Sequence, residues 1–282
     1  MLRPSTYDFH LSDGVRLNVH SWEAESSQAV LVCVQGLGGH GAYYSTLAEV
    51  LDLMPVSIVA PDLRGHGLSE GTRGDIASFE TYLSDLAELF SDVRKRHGAK
   101  PIIFFGESMG AVILLNYLMK YRPDVQGVVL LSPVLRPTVR PTLGEVGRFL
   151  SYALYNPIKP AMRLRGREDL GSRDELFNQQ LKQDQLFVEK ASVRFLFQLN
   201  LSIWRARRSA EALTMPFLVL IGEDDRVTDH RKTMRFYERI PAQHKLLVEF
   251  PTGFHALLND PVKTQVADTL TDWLKEYSLG RS

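Results

Sequence analysis

Ser108 stands in Gly106-Glu107-Ser108-Met109-Gly110, a G-x-S-x-G pattern. Before it lies Pro101-Ile102-Ile103-Phe104-Phe105, an apolar, β-prone run, and after it a helical run from Ala111 to Met119. A serine on so sharp a strand-to-helix turn is forced into a strained backbone conformation that holds its hydroxyl clear of the sheet. The flanking glycines are needed because a side chain there would strike the neighbouring strand or helix. The turn also puts Ser108 at a helix N-terminus, where unpaired N–H groups and the macrodipole favour developing negative charge. The chemistry to expect is nucleophilic attack by a hydroxyl. Small residues cluster in many loops, so the pattern counts only with its strand, its helix and its partners.

A serine hydroxyl is a weak nucleophile at neutral pH and needs a histidine to take its proton, and that histidine needs a carboxylate to fix its tautomer. With a serine on a strand-to-helix turn, the order along the chain is Ser, then Asp or Glu, then His. Three histidines follow Ser108: His230, His244 and His255. His230 falls in the charged start of a helix, and His244 stands beside Lys245 on a turn; both read as surface residues. His255 follows the run Leu246-Leu247-Val248-Glu249-Phe250 in a Pro251-Thr252-Gly253-Phe254 loop, at a strand end on the same edge as Ser108. The acid should come from the loop after Phe217-Leu218-Val219-Leu220-Ile221, where Glu223, Asp224, Asp225 and Asp229 all qualify. Loop acids are most often turn formers, and spacing alone does not choose among them.

The elements that would position these residues follow a βαβ rhythm. Val15-Arg16-Leu17-Asn18-Val19-His20 alternates after an Asp13-Gly14 turn, predicting a hairpin over 7–21. Further strands are expected at 29–34, 57–60, 101–105, 127–131, 217–221 and 245–250, mostly continuous apolar runs of the kind covered on both faces. Phe79, Tyr82, Leu83, Leu86, Leu89, Phe90 and Val93 recur at helical spacing, as do Val262, Val266, Leu270, Trp273 and Tyr277. From about Arg136 to Thr214 the rhythm breaks: prolines and helical stretches, but no convincing strand. That is too long for a loop and predicts an inserted helical lobe. It holds 14 Lys+Arg against 8 Asp+Glu, a net +6 in a chain whose net charge is zero. A solvated helical face explains most of these charges.

With 282 residues, 44% hydrophobic and 23% charged, the chain can bury a large single α/β core. Zero net charge gives no general bias toward nucleic acid. The N-terminal residues carry no apolar signal region, no stretch approaches the ~18 apolar residues of a membrane span, and a cytoplasmic protein is expected. The single cysteine, Cys33, precludes an internal disulfide framework and reads as a buried strand residue.

Four segments together resemble the serine hydrolases of the α/β-hydrolase fold, and within them the monoacylglycerol lipase/lysophospholipase-like group. They are Val34-Gln35-Gly36-Leu37-Gly38-Gly39-His40; Pro61-Asp62-Leu63-Arg64-Gly65-His66-Gly67-Leu68-Ser69-Glu70-Gly71; the Ser108 motif; and Gly222-Glu223-Asp224-Asp225-Arg226 with Phe254-His255. The resemblance spans nearly the whole chain and is weakest in the lobe. It implies a mostly parallel eight-stranded sheet flanked by helices, a core of residues 1–135 and 215–282, and a helical cap over 136–214. It places the triad acid three residues after the strand-ending glycine, which selects Asp225, with Asp224 as alternate. It also implies oxyanion donors in the backbone N–H groups of Leu37 and Met109; one such donor is typically worth ~10²–10³ in rate. The family usually has His-Gly where this chain has Gln35-Gly36. The Pro61–Gly67 segment mixes Asp, Arg and His, but its turn-rich composition marks a structural loop under the site.

The implied reaction is hydrolysis of a small-molecule acyl ester through an acyl-enzyme on Ser108, with no metal and no organic cofactor. The lobe carries Phe149, Leu150, Leu154, Met162, Leu164, Phe177, Leu186, Phe187, Phe195, Leu196, Phe197, Leu199 and Trp204; amphipathic helices packing on the main domain explain most of these, and some should line an apolar pocket for a medium acyl chain or a monoacylglycerol-like ester. The +6 charge, with Phe195-Leu196-Phe197 and Trp204-Arg205-Ala206-Arg207-Arg208, predicts weak peripheral contact with anionic lipid surfaces. The rivals are an acyl-CoA thioesterase, which would use the arginines on CoA phosphates, and a non-catalytic ligand sensor on the same fold. An aminopeptidase would need acidic groups at a cap that is net basic. A dehalogenase or epoxide hydrolase would need Asp at position 108.

Overall fold

The computed structural model describes residues 1–164 and 168–279. In chain order the strands are β1 (Leu2–His10), β2 (Arg16–Ala24), β3 (Ala29–Val34), β4 (Val56–Pro61), β5 (Ile102–Glu107), β6 (Gly127–Leu131), β7 (Pro160–Arg163), β8 (Lys190–Ser192), β9 (Phe217–Gly222) and β10 (Lys245–Phe250). Eight of them form one sheet in the order β1-β2-β4-β3-β5-β6-β9-β10. β1 with β2 and β2 with β4 are antiparallel; every later pair is parallel. The expected hairpin is present and longer than its alternation suggested. This is the α/β-hydrolase architecture expected from the sequence.

β3, β4, β6 and β9 are buried at every position. Strands covered on both faces must be apolar throughout, which is why they read as continuous runs. The register Val34↔Gly106, Glu107↔Leu131 and Leu131↔Leu220 brings the C-terminal ends of β3, β5, β6 and β9 to one edge. In open α/β sheets that edge is where ligands bind.

The helices are α1 (Ser45–Val50), α2 (Glu80–His97), α3 (Met109–Tyr121), α4 (Leu143–Tyr155), α5 (Glu175–Gln183), α6 (Val193–Ala206), α7 (His230–Glu238) and α8 (Lys263–Leu274). α2 buries Tyr82, Leu83, Leu86, Leu89 and Val93, most of the periodic residues, and ends at Gly98, whose positive φ of 64° favours glycine. α3 is buried from Met109 to Leu118 because α2, α6 and the sheet enclose it. Two cores result. Val32, Val34 and Phe104 face α2 and α3; Cys33, Phe105 and Tyr44 face α1 and α8. Cys33 is wholly buried, and burial pushes its thiol well above the ordinary range.

Between β6 and β9 the expected helices are α4, α5 and α6. α4 opens with a capping box between Thr142 and Glu145. The absence of strands expected there is corrected: β7 and β8 pair antiparallel. At four and three residues they are too short to display alternation, and Glu145 of α4 holds the ribbon by accepting from the Arg163 N–H at 3.0 Å. Arg165 and Arg167, counted in the +6 charge, lie outside the described residues.

Candidate active site

β5 ends at Glu107 and α3 begins at Met109, so Ser108 makes the turn by itself, with φ 52° and ψ −110°. Such a conformation costs a non-glycine residue on the order of 1–3 kcal/mol and persists only when the surroundings enforce it. The flanking glycines do enforce it. A Cβ on Gly110 would lie 1.9 Å from the Val34 carbonyl oxygen, and one on Gly106 would lie 2.8 Å from Ala111 Cα.

The loops after β9 and β10 are lashed together. The Glu223 N–H donates to the Phe250 carbonyl and the Asp224 N–H to the Gly253 carbonyl, both at 3.1 Å. Gly222 permits this approach, since a Cβ there would lie 2.2 Å from the Gly253 oxygen. The result brings His255 Nδ1 to 2.7 Å from Asp225 Oδ2, and His255 Nε2 to 2.8 Å from Ser108 Oγ. Asp225 Oδ1 accepts from the Val227 and Thr228 N–H groups at 2.7 and 3.0 Å, which locks the carboxylate. Asp224, the alternate acid, is exposed and is used through its backbone. His230 opens α7 and His244 lies against Tyr277, both outside this arrangement.

Burial works against a charged His255, but the Asp225 charge and hydrogen bond, with a further push from Glu107, outweigh it. The imidazole's pKa is raised. An imidazole so placed can accept the Ser108 proton and hold the resulting charge beside Asp225.

Leu37 and Met109 flank Ser108 in the cavity lining. The loop carrying Leu37 presses on the serine: a Cβ on Gly36 would lie 3.2 Å from Ser108 Cβ. Gln35, where histidine is usual, closes that loop by donating from Nε2 to the Gly39 carbonyl at 3.1 Å. As the first residue of α3, Met109 has an N–H with no partner in the helix.

The Pro61–Gly67 segment does brace the floor. Asp62 is fully buried and accepts from the N–H groups of Gly41 and Leu68, at 2.7 and 2.8 Å, and from Asn18 Nδ2 at 3.0 Å. Arg64 makes a two-pronged pair with Asp85 at 2.9 and 2.8 Å. His66 donates from Nδ1 to the Arg64 carbonyl, and burial pulls its pKa down to about 4. The same network contains a cluster with metal-ligand chemistry among the described residues: His20, His40 and Asp62, with ligand atoms within 4.8 Å. Asp62 spends both oxygens on the donors just named, so the cluster reads as part of the brace.

Ser108 and His255 open onto a cavity of about 660 Å³, in the range of small-molecule sites. Its lining is mostly apolar, with Phe149, Leu150, Met162, Phe187, Leu196 and Leu199 contributed between β6 and β9. The cluster singled out in the sequence divides: Leu196 lines the cavity, Phe195 is buried in the core, and Phe197 is exposed. Tyr44 and Glu107 also line the cavity, and sequence reasoning missed them. Glu107 occupies the variable position of the motif, and nothing in sequence ties Tyr44 to Ser108.

A family model described as serine aminopeptidase, S33 matches residues 25–262. Monoglyceride lipase of Rattus norvegicus is 28% identical over 270 residues, spanning 93% of this chain and 88% of that protein. Phospholipase YtpA of Bacillus subtilis is 26% identical over 263 residues, spanning 91% and 99%. Monoacylglycerol lipase of Mycolicibacterium smegmatis is 26% identical over 281 residues, spanning 97% and 98%. Among solved structures, a soluble variant of the Saccharomyces cerevisiae monoglyceride lipase in complex with a substrate analogue superposes with a TM-score of 0.87 at 18% identity, covering 98% of this chain and 96% of that one. At that identity the superposition bears on the fold.

Proposed function

The chain belongs to the family of α/β-hydrolases described as serine aminopeptidase, S33, and we propose that it is a serine hydrolase cleaving carboxylic esters of the monoacylglycerol or lysophospholipid kind. The observation that carries this reading is the hydrogen-bonded series Ser108–His255–Asp225 on the floor of an apolar cavity. Monoglyceride lipases and a phospholipase among its relatives support the ester class.

Ser108 Oγ attacks the ester carbonyl as its proton passes to His255 Nε2, and Asp225 stabilises the imidazolium. The oxyanion of the tetrahedral intermediate is met by the N–H groups of Leu37 and Met109. Collapse returns the proton from His255 to the departing alcohol and leaves an acyl group on Ser108. Water, deprotonated by His255, then attacks the acyl carbon, and as the acid leaves the proton returns from His255 to Ser108 Oγ.

Residues 136–214 act as a cap whose apolar lining holds the acyl chain, and α4 forms the mouth. Leu150 lines the cavity and is nevertheless 62% exposed, so acyl chains enter beside it. Leu143, Leu150 and Leu154 project from α4 with exposed Arg148 and Lys159 nearby, a combination that suits an anionic lipid surface. This moves the lipid contact away from the run at 204–208, where Arg205 pairs with Glu80, Arg207 donates to the Leu135 carbonyl and Arg208 stacks on Trp204. Among the described residues no helix is long and apolar enough to cross a membrane.

A fluorophosphonate probe tests the reading directly. Covalent labelling of the full chain that disappears in Ser108→Ala, with hydrolysis of octanoyl esters, is expected. No labelling and no turnover would favour a ligand-sensing role for the cavity.

A further inference from the structure

The cavity lining joins an apolar set contributed between β6 and β9 to a polar set beside Ser108. Side chains alternate along β3 and β5. Cys33 and Phe105 face α1 and α8, and two residues further Gln35 and Glu107 continue that face into the cavity lining. Tyr44 joins them from the turn before α1. Each of the three has unused polar capacity. Gln35 and Tyr44 are 98% buried, yet Gln35 Oε1 and Tyr44 Oη have no hydrogen-bond partner. The Glu107 carboxyl makes no hydrogen bond or ion pair with the described residues. Buried polar atoms are almost always paired, so the two unpaired ones of Gln35 and Tyr44, beside the half-buried Glu107 carboxyl, point to a ligand with polar groups of its own.

We infer that Gln35, Tyr44 and Glu107 form the subsite for the departing alcohol, and that Glu107 makes it select neutral polyol head groups over phosphate-bearing ones. The inference rests on the ester-hydrolase reading above. An amide oxygen, a phenol and a carboxyl offer mainly acceptors, which match the hydroxyls of a glycerol-like alcohol. The acyl chain then lies against the apolar set, with the scissile ester over Ser108. A phosphate finds no such welcome: no Lys or Arg of the described residues lines the cavity, and Glu107 sets its own negative charge against it. Burial already raises the Glu107 carboxyl above its ordinary range, and the nearby His255 only partly offsets this.

The test compares kcat/KM of the full chain on three esters of one acyl chain: 1-monooctanoylglycerol, methyl octanoate and 1-octanoylglycerol 3-phosphate. The wild type should prefer the glycerol ester to the methyl ester by about tenfold or more and to the phosphate ester by about a hundredfold. Tyr44→Phe and Glu107→Gln should each shrink the glycerol-to-methyl ratio about fivefold to tenfold. Glu107→Gln alone should also shrink the glycerol-to-phosphate ratio. Fluorophosphonate labelling of Ser108 in each variant reports an assembled site. Equal wild-type rates on glycerol and phosphate esters would overturn the inference without any variant. So would unchanged ratios in both variants with labelling intact. A wild type that cleaves none of the three esters would instead overturn the ester-hydrolase reading itself.

Discussion

From Ile102 to Leu118, along β5 and most of α3, every residue except Glu107 is buried; along α4, from Leu143 to Tyr155, only Glu145 is. The first stretch carries Ser108 and the second roofs the cavity. The strained backbone of Ser108 persists because an almost wholly buried strand and helix leave it no alternative, whereas α4, nearly all exposed, packs against α6 and the short β7 strand. Reaction geometry that tolerates about half an ångström of error needs the first kind of support. Acyl recognition needs shape and apolarity, and the second kind suffices. Substitutions on the floor should therefore change rate by orders of magnitude, and those on the roof should change partition and preference.

The largest losses are expected at the floor of the cavity. Ser108→Ala and His255→Ala should each remove nearly all activity on p-nitrophenyl butyrate while leaving the circular dichroism spectrum unchanged. The two side chains act as a unit, so losing either forfeits almost the whole triad-dependent rate, on the order of 10⁶ in a well-characterised triad. Activity above a tenth of wild type in either variant would mean that the roles of Ser108 and His255 are wrongly assigned.

Next in size is the acid. Asp225→Asn should lower kcat by about 10⁴, because an amide in place of the carboxylate lets His255 take the wrong tautomer and lose the charge that stabilises its protonated form. Asp224→Asn should stay near wild type, since Asp224 contributes to the site through its N–H. If Asp224→Asn were the more damaging, the geometry at His255 would be off by one residue.

The brace under the floor should show itself in stability. His66 is buried with a pKa of about 4, against about 6.5 when the chain unfolds. Between those values the unfolded chain binds a proton that the folded chain refuses, so stability is lost as pH falls from 6.5 towards 4, by up to about 3 kcal/mol. Urea midpoints at pH 7 and pH 4.5 should therefore diverge in the wild type, and diverge less in His66→Gln. An equal divergence in both would remove His66 from the acid response.

How legible the two regions were in sequence follows the same division. β3, β6 and β10 were readable to the residue because burial on both faces, or a turn at each end, leaves one solution for an apolar run. The strand-ending Gly222 and the loop beyond β10 announced themselves through residue types, and the spacing that singled out Asp225 came from a family resemblance. The lashing of the two loops through Glu223 and Asp224 is backbone chemistry with no side-chain signature. Tyr44 was illegible because it reaches the site across a fold-level contact. In the roof, β7 and β8 were missed for their brevity. Helical spacing divides the cluster at 195–197, which sequence shows only as a run: Phe195 is buried, Leu196 lines the cavity and Phe197 is exposed.

The smallest effect is expected where α4 would meet lipid. If α4 is the contact, Leu150→Ser with Leu154→Ser should lower recovery on phosphatidylserine vesicles in a flotation assay severalfold at low salt. Each side chain can contribute up to ~1.5–3 kcal/mol by insertion, and exposure in the folded chain means that little stability is lost by replacing it. Arg148→Gln should weaken binding to anionic vesicles by a smaller factor, on the order of 1 kcal/mol, and should leave neutral vesicles untouched. Trp204→Ser is the control from the run at 204–208: Arg208 lies over one face of a ring that stays half exposed, and if α4 is the contact, recovery should hold. Losing binding in Trp204→Ser while the α4 double variant floats like wild type would turn the molecule over on the membrane. The cavity mouth beside Leu150 would then face away from the lipid, and substrate would have to reach it through water.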